Sequence, residues 1–108
     1  MLDTALDVTV GDEVRFRLVV SNAGDTPVDL TFRDACKADF AVYENDEERW
    51  RYSDGRAFAQ VLTHADLQPG EQATFEAEWP ESEPGDYTAE ATLRVLENDV
   101  TRKTPFSV

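Results

Sequence analysis

The amino-acid sequence predicts an all-β fold, an antiparallel β-sandwich of seven to nine strands, and three observations lead to this prediction. Apolar and polar residues alternate with period two along nearly the whole chain, which is typical of strands that bury one face. Turn-forming residues interrupt the alternation at intervals of roughly ten residues. No segment of about ten residues shows the period of a helix. An immunoglobulin-like (Ig-like) arrangement of the sheets is favoured, and a small barrel is the alternative.

The first half of the chain predicts a series of strands separated by turns. Apolar side chains recur at every second position in residues 6–10, 14–20, 28–32 and 38–44. Gly11 and Asp12 end the first of these strands. The segment SNAGDTP (21–27) separates the second strand from the third, because it is rich in turn-forming residues and ends in a proline. In the fourth strand, Phe40 and Val42 share one face, which we expect to be buried.

The second half continues this pattern, beginning with a hairpin turn at Asn45 and Asp46. The segment ERWRY (48–52) follows as a strand, and SDG (53–55) forms another turn. Residues 58–62 are a short apolar piece whose pattern fits neither strand nor helix clearly. The remaining sequence indicates a turn at LQPGE (67–71) and two long strands at TFEAEW (74–79) and YTAEATLRV (87–95). A last strand near the C-terminus contains Pro105, which restricts it to a sheet edge.

Composition and charge limit the domain organisation and the class of partner. Residues 1–108 are expected to form one domain, and 41% of them are hydrophobic, which suffices for a core. No run of apolar residues is long enough to span a membrane. The formal net charge is −13 at pH 7, so the surface repels nucleic acids and anionic lipids. We therefore expect a protein partner.

Several features favour the cytosol. The N-terminal segment MLDTALDVTV lacks the positive residues and the apolar block of a secretory signal. Cys36 is the only cysteine, so the chain has no internal disulfide, and we expect this side chain to be a small buried hydrophobic group. Lys37 and Lys103 are the only lysines, and the excess of acidic residues is typical of cytosolic proteins from salt-loving organisms.

A catalytic interpretation depends on His64, the only histidine, because serine and cysteine nucleophiles need a base. Ser53 stands beside Asp54, but the chain has no G-x-S-x-G motif. We expect Ser53 to be a turn residue and His64 to lie in a surface loop before the turn at residues 67–71. The chain is therefore predicted not to be an enzyme and to have no catalytic residues.

The sequence predicts no metal and no cofactor. One cysteine and one histidine cannot form a zinc site. The acidic segments at residues 45–48 and 81–86 could supply calcium ligands, but neither has the spacing of an EF-hand. The glycines stand singly at turns and do not form a phosphate-binding loop.

Five segments follow one another in an order that is informative in combination. They are SNAGDTPVDLTF (21–32), DF (39–40), WRYSDGRAF (50–58), LQPGEQATFEAEW (67–79) and PGDYTAEATL (84–93). In this combination the chain resembles the BsuPI family of intracellular proteinase inhibitors, as an acidic member of haloarchaeal type. The resemblance covers about residues 8–96. Its most specific part is W-x-Y-S-D-G-x-x-F, followed by L-x-P-G-E and F-x-x-x-W.

This resemblance implies that the domain inhibits an intracellular subtilisin-like serine protease through a displayed loop. A tight inhibitor needs an ordered loop that enters the protease cleft without a large entropy cost. The candidate contact residues form one turn of the sequence: Tyr52, Ser53, Asp54, Gly55 and Arg56. Trp50 and Phe58 on either side are expected to fix this turn to the core.

Two alternatives stay open at this point. In the structural alternative, the aromatic residues of this stretch are core, the turn closes a hairpin, and Arg49 and Arg51 pair with acids across the sheet. The loops at residues 21–27 and 80–86 are rival contact sites. The functional alternative is a non-inhibitory Ig-like module that binds another protein through an exposed edge or loop.

The net charge generates the first testable prediction. We expect the midpoint of thermal unfolding to rise with potassium chloride, because salt screens the repulsion among the excess acids. Most of the rise should come below about 1 M, since the Debye length falls from about 10 Å at 0.1 M to about 3 Å at 1 M. A midpoint that does not rise over this range, measured by circular dichroism, would contradict the halophilic interpretation.

Overall fold

The computed structural model describes residues 2–96 and 100–108, and within them the chain forms nine β-strands and no helix. This confirms the all-β prediction. In chain order the strands are β1 (Leu2–Val10), β2 (Val14–Asn22), β3 (Val28–Phe32), β4 (Ala38–Glu44), β5 (Glu47–Arg51), β6 (Thr63–Leu67), β7 (Gln72–Trp79), β8 (Asp86–Leu93) and β9 (Val100–Ser107). In this described part of the chain, no helix is long and apolar enough to cross a membrane.

The strands form two main antiparallel sheets and a smaller pair. One sheet has the order β1-β2-β7, the other has the order β5-β4-β8-β9, and β3 pairs with β6. The two main sheets pack face to face, because Phe16 of β2 contacts Phe40 of β4 and Trp50 of β5, with ring centroids 6.2 Å and 5.8 Å away. Their facing side chains form one hydrophobic core. The fold is thus the predicted β-sandwich; the Ig-like topology stays a prediction.

Several local features follow directly from the sequence. Asn45 and Asp46 have positive φ angles of 52° and 66°, which is the backbone of the hairpin turn that connects β4 to β5. Gly70 has a φ of 85° in the turn before β7, where a residue with a side chain would be strained. Pro105 lies in β9, an edge strand of its sheet, as its missing amide requires.

The structure corrects three expectations about individual segments. Residues 38–42 of β4 are buried on both faces, although the alternation predicted one exposed face, because Arg51 and Ser53 lie over the outer face at Asp39. His64 lies in β6 and not in a loop, since β6 pairs with β3. Val10 was expected on the buried face but is 46% exposed at the end of β1.

Asn22 connects the end of β2 with the loop that follows it and with the distant end of β6. This residue is 2% exposed, and its side-chain amide donates hydrogen bonds to the carbonyl oxygens of Thr26 at 2.8 Å and Leu67 at 2.9 Å. Its side-chain oxygen accepts a hydrogen bond from the Gly24 amide at 2.9 Å. The end of β2, the following loop and the end of β6 are therefore held together by one side chain.

We predict that Asn22→Ala lowers the free energy of unfolding by about 2–4 kcal/mol, because buried backbone groups lose their partners. Ser21→Ala, on the neighbouring and more exposed position, is the matched control and should change it by about 0.5 kcal/mol or less. Urea denaturation would measure both changes. Equal effects of the two substitutions would contradict the role given to Asn22.

Candidate partner-binding loop

The predicted contact residues lie in one connection, residues 52–62, which joins β5 to β6 and which we call the β5–β6 loop. Its first part is a tight turn, in which the amide of Asp54 donates to the Arg51 carbonyl at 3.2 Å and the amide of Arg56 to the Ser53 carbonyl at 3.3 Å. Gly55 has a φ of 72°, a value at which glycine is not strained. Asp54, Gly55 and Arg56 are exposed at the tip of this turn.

The carboxylate of Asp39, on the neighbouring strand β4, fixes the base of this turn. Its Oδ1 accepts hydrogen bonds from the backbone amides of Phe40 at 2.9 Å and Ser53 at 3.1 Å. Its Oδ2 accepts one from the Ser53 hydroxyl at 2.7 Å and one from Nη1 of Arg51 at 3.1 Å. Asp39 is only 8% exposed, so four donors replace the water that this carboxylate lost on folding.

Arg51 extends the network from Asp39 towards the surface. Its guanidinium also contacts Oε1 of Glu48 at 2.7 Å and donates to the hydroxyl oxygen of Tyr43 at 3.1 Å. Burial lowers the pKa of Arg51, but the hydrogen bonds from the guanidinium to Glu48 and Asp39 raise it more, and the net direction is upward. The guanidinium therefore stays charged and holds both acids.

On the other side of the turn, Tyr52 packs against the core. Its amide donates to the Phe40 carbonyl at 2.8 Å, and its ring meets the Phe40 ring nearly perpendicularly at 6.2 Å. The Phe58 ring lies 6.2 Å from the Tyr52 ring, and the Arg56 guanidinium lies over the Tyr52 ring at 4.4 Å. Both ends of the turn are thus held by the Tyr52 side chain.

The second part of the loop has looser attachments. The Ala59 carbonyl accepts hydrogen bonds from the amides of Ala35 at 2.9 Å and Val61 at 3.1 Å. A groove of about 290 Å³ runs between the loop and β7, lined by residues that include Cys36, Phe40, Tyr52, Phe58 and Phe75. Val61 and Leu62 are 53% and 59% exposed. This part of the loop carries apolar side chains without burying them.

The structure decides some of the sequence-based interpretations of this stretch. Ser53 is a turn residue, as predicted, and its hydroxyl donates to a carboxylate. Nδ1 of His64 lies 3.3 Å from the hydroxyl oxygen of Thr31, so the histidine is engaged elsewhere. Trp50 packs in the core beside Phe16 and Trp79, whereas Phe58 is half-buried and contacts Tyr52.

The arginines of β5 form the predicted cross-strand ion pairs. Arg49 pairs with Glu44 at 2.8 Å, and Arg51 pairs with Asp39 at 3.1 Å. Trp50 and Tyr52 pack against the core, as the structural alternative predicted, and the tip of the turn is exposed. The turn at residues 53–55 does not close a hairpin, because β5 pairs with β4 and β6 pairs with β3 in another sheet. Contact of residues 52–56 with a partner stays a prediction.

Asp39 is the residue that the sequence analysis did not assign. The available signal was its place among apolar residues in a strand, where an acid is unexpected unless it is paired. Its partners lie 12 and 14 positions away in sequence, at Arg51 and Ser53. No local pattern identifies such partners.

The described residues contain no cluster of three or more histidine, cysteine or acidic side chains that could hold a metal ion. Cys36 is buried, as predicted, and burial raises the pKa of its thiol. Its Sγ donates to the Ala38 carbonyl at 3.5 Å. The described geometry of this loop offers a surface for contact with another molecule.

Comparisons with known proteins give a family and distant structural likenesses. The model of a protein family described as "BsuPI: Intracellular proteinase inhibitor" matches residues 2–98. A search of curated proteins finds no match. Among solved structures, the chain is similar to β-glucosidase 3B from Thermotoga neapolitana in complex with glucose, with a TM-score of 0.48 and 14% identity over 100% of this chain. The chain spans 17% of that protein's length, and a likeness this distant has no bearing on activity.

We predict that Asp39→Ala lowers the free energy of unfolding by about 3–5 kcal/mol, because it leaves Arg51 and Ser53 without a buried partner. It should also speed hydrogen exchange at the Ser53 amide, which loses its acceptor. Glu48→Ala is the matched control: it removes the more exposed partner of Arg51 and should cost about 1 kcal/mol or less. Unchanged exchange at Ser53 in Asp39→Ala would contradict the anchoring role.

Proposed function

Since the chain belongs to the BsuPI family of intracellular proteinase inhibitors, we propose that it inhibits a subtilisin-like serine protease through the β5–β6 loop. The observation that carries this proposal is the anchoring of residues 52–56 from two sides. The Asp39 carboxylate holds Ser53, and the core residue Phe40 holds Tyr52 through backbone and ring contacts. Residues 52–56 are therefore held in place before any partner arrives.

An inhibitor competes with substrate for the same cleft, so it must bind tightly, and order in the free loop raises its affinity. A loop that is mobile when free loses conformational entropy on binding, and this cost weakens the complex. Four hydrogen bonds to one carboxylate restrict the backbone at Ser53 and the side chains of Ser53 and Arg51. Residues 52–56 therefore need little further ordering in a protease cleft.

The contact residues that we propose are those of the exposed tip and its aromatic platform: Tyr52, Ser53, Asp54, Gly55 and Arg56. Arg56 lies over the Tyr52 ring, so the guanidinium is already positioned at the surface. Arginine and tyrosine are the residue types that most often contribute large shares of binding energy in protein interfaces. The protein would act in the cytosol on a protein partner, since a net charge of −13 disfavours nucleic acids and anionic membranes.

The proposal is tested by titrating the purified protein into an intracellular subtilisin-like protease, with a fluorogenic peptide as substrate and at the salt concentration of the source cytosol. We expect inhibition by the unchanged protein at micromolar concentration or below. Arg56→Ala should weaken inhibition about tenfold, which corresponds to about 1.4 kcal/mol. Tyr52→Ala should weaken it at least as much, because it removes the platform for Arg56 and Phe58.

The matched control is Arg102→Ala, which removes an exposed arginine from β9 and should leave inhibition unchanged. Equal potency of Arg56→Ala, Tyr52→Ala and the unchanged protein would contradict the assignment of the contact to residues 52–56. Full protease activity at micromolar protein would contradict the inhibitor function and leave the non-inhibitory binding module.

A further inference from the structure

The second half of the β5–β6 loop, residues 57–62, differs in chemistry from the rest of the surface. The sequence AFAQVLTHA (57–65) is the longest run in the chain without Asp, Glu, Lys or Arg, although these make up 31% of all residues. Residues 57 and 59–62 are exposed, so the run is displayed to solvent. We call residues 57–62 the uncharged segment.

Val61 and Leu62 are exposed to an unusual degree for their residue type. Four large aliphatic side chains are exposed in residues 2–96 and 100–108, and these two are the most exposed, at 53% and 59%. They are also adjacent in sequence, whereas Val10 and Leu96 stand alone. Adjacent exposed aliphatic side chains on an otherwise acidic surface indicate a contact with an apolar partner site.

The backbone of the uncharged segment is also available to a partner. Within the described part of the chain, the hydrogen bonds between its backbone and other backbone groups all end on the Ala59 carbonyl, which accepts from Ala35 and Val61. Residues 57–62 belong to no strand, although β6 begins directly after them. Their remaining peptide groups can therefore pair with an extended groove, which is how proteins bind a peptide as an added strand.

We propose that the uncharged segment occupies the substrate groove of the protease, with Val61 and Leu62 in neighbouring apolar side-chain pockets. This inference rests on the inhibitor function and assigns the anchored residues 52–56 to the start of the contact. The chemistry of the segment defines the partner site. This site must be a groove that pairs with an extended backbone and accepts neutral aliphatic side chains. The first half of the segment is held in place, since Phe58 packs on Tyr52 and the Ala59 carbonyl accepts a hydrogen bond from the Ala35 amide.

A second copy of the chain is a less suitable occupant of this segment. Two molecules with a net charge of −13 repel each other at low salt. A stable protein dimer buries about 1,200 Å² or more, and two aliphatic side chains with their flanking residues offer much less. A protease–inhibitor complex buries a similar area, but there residues 52–56 add to the contact and the groove also pairs with the backbone of the segment.

The test compares inhibition constants of Val61→Asp and Leu62→Asp with that of the unchanged protein, against a purified intracellular subtilisin-like protease. Each substitution puts a charge into an apolar pocket and should weaken inhibition at least tenfold. Val10→Asp replaces an exposed aliphatic side chain outside the loop and is the matched control. Its inhibition constant should stay within twofold of that of the unchanged protein. Val61→Ile and Leu62→Met should keep inhibition, since they preserve apolar character. Thermal unfolding midpoints of all variants should agree closely, because the replaced side chains are exposed.

The outcomes separate this inference from the proposed function. If the unchanged protein inhibits and both aspartate variants inhibit equally well, the assignment of the uncharged segment is overturned while the inhibitor function stands. If the unchanged protein does not inhibit, both are overturned. Prolonged incubation with excess protease provides a second readout: mass spectrometry should place the first cut within residues 57–62, and a first cut in another loop would contradict the assignment. A dimer that Val61→Asp dissociates, observed by gel filtration, would identify a second copy as the occupant and overturn the proposal.

Discussion

The position of the candidate loop depends on one buried carboxylate, that of Asp39. An acid that is 8% exposed is stable only when its charge is compensated, and Arg51, Ser53 and the Phe40 amide provide this compensation. These donors come from β4, from β5 and from the turn that follows β5. Movement of the turn would remove two of the four donors, the amide and the hydroxyl of Ser53, so the buried carboxylate favours one position of the turn.

The two parts of the β5–β6 loop therefore have different physical roles. Residues 52–56 are fixed between the Asp39 carboxylate on the outer face of the sheet and Phe40 on its inner face. Residues 57–62 have few backbone bonds and expose aliphatic side chains. A fixed base limits the entropy lost on binding, and the following segment supplies apolar area to be buried. This division suits a protein that occupies another protein's groove.

Surface charge adds selectivity to this arrangement. The chain carries 23 acidic and 10 basic residues, so most approaches bring a partner towards negative charge. The uncharged segment, with Arg56 next to it in sequence, is an exception. Close approach of an apolar groove is therefore least opposed at this loop.

Local sequence patterns predicted most of the strands and turns but not β6, because period-two alternation and turn residues such as Asn45 and Asp46 act over a few neighbouring positions. It also indicated that Ser53 is a turn residue. Tertiary structure alone decided that β4 is covered on both faces, that His64 joins a strand, and that Asp39 anchors the loop. Each of these depends on partners from distant parts of the chain: a strand needs a neighbour to pair with, and a buried charge needs donors that only the folded chain brings within reach.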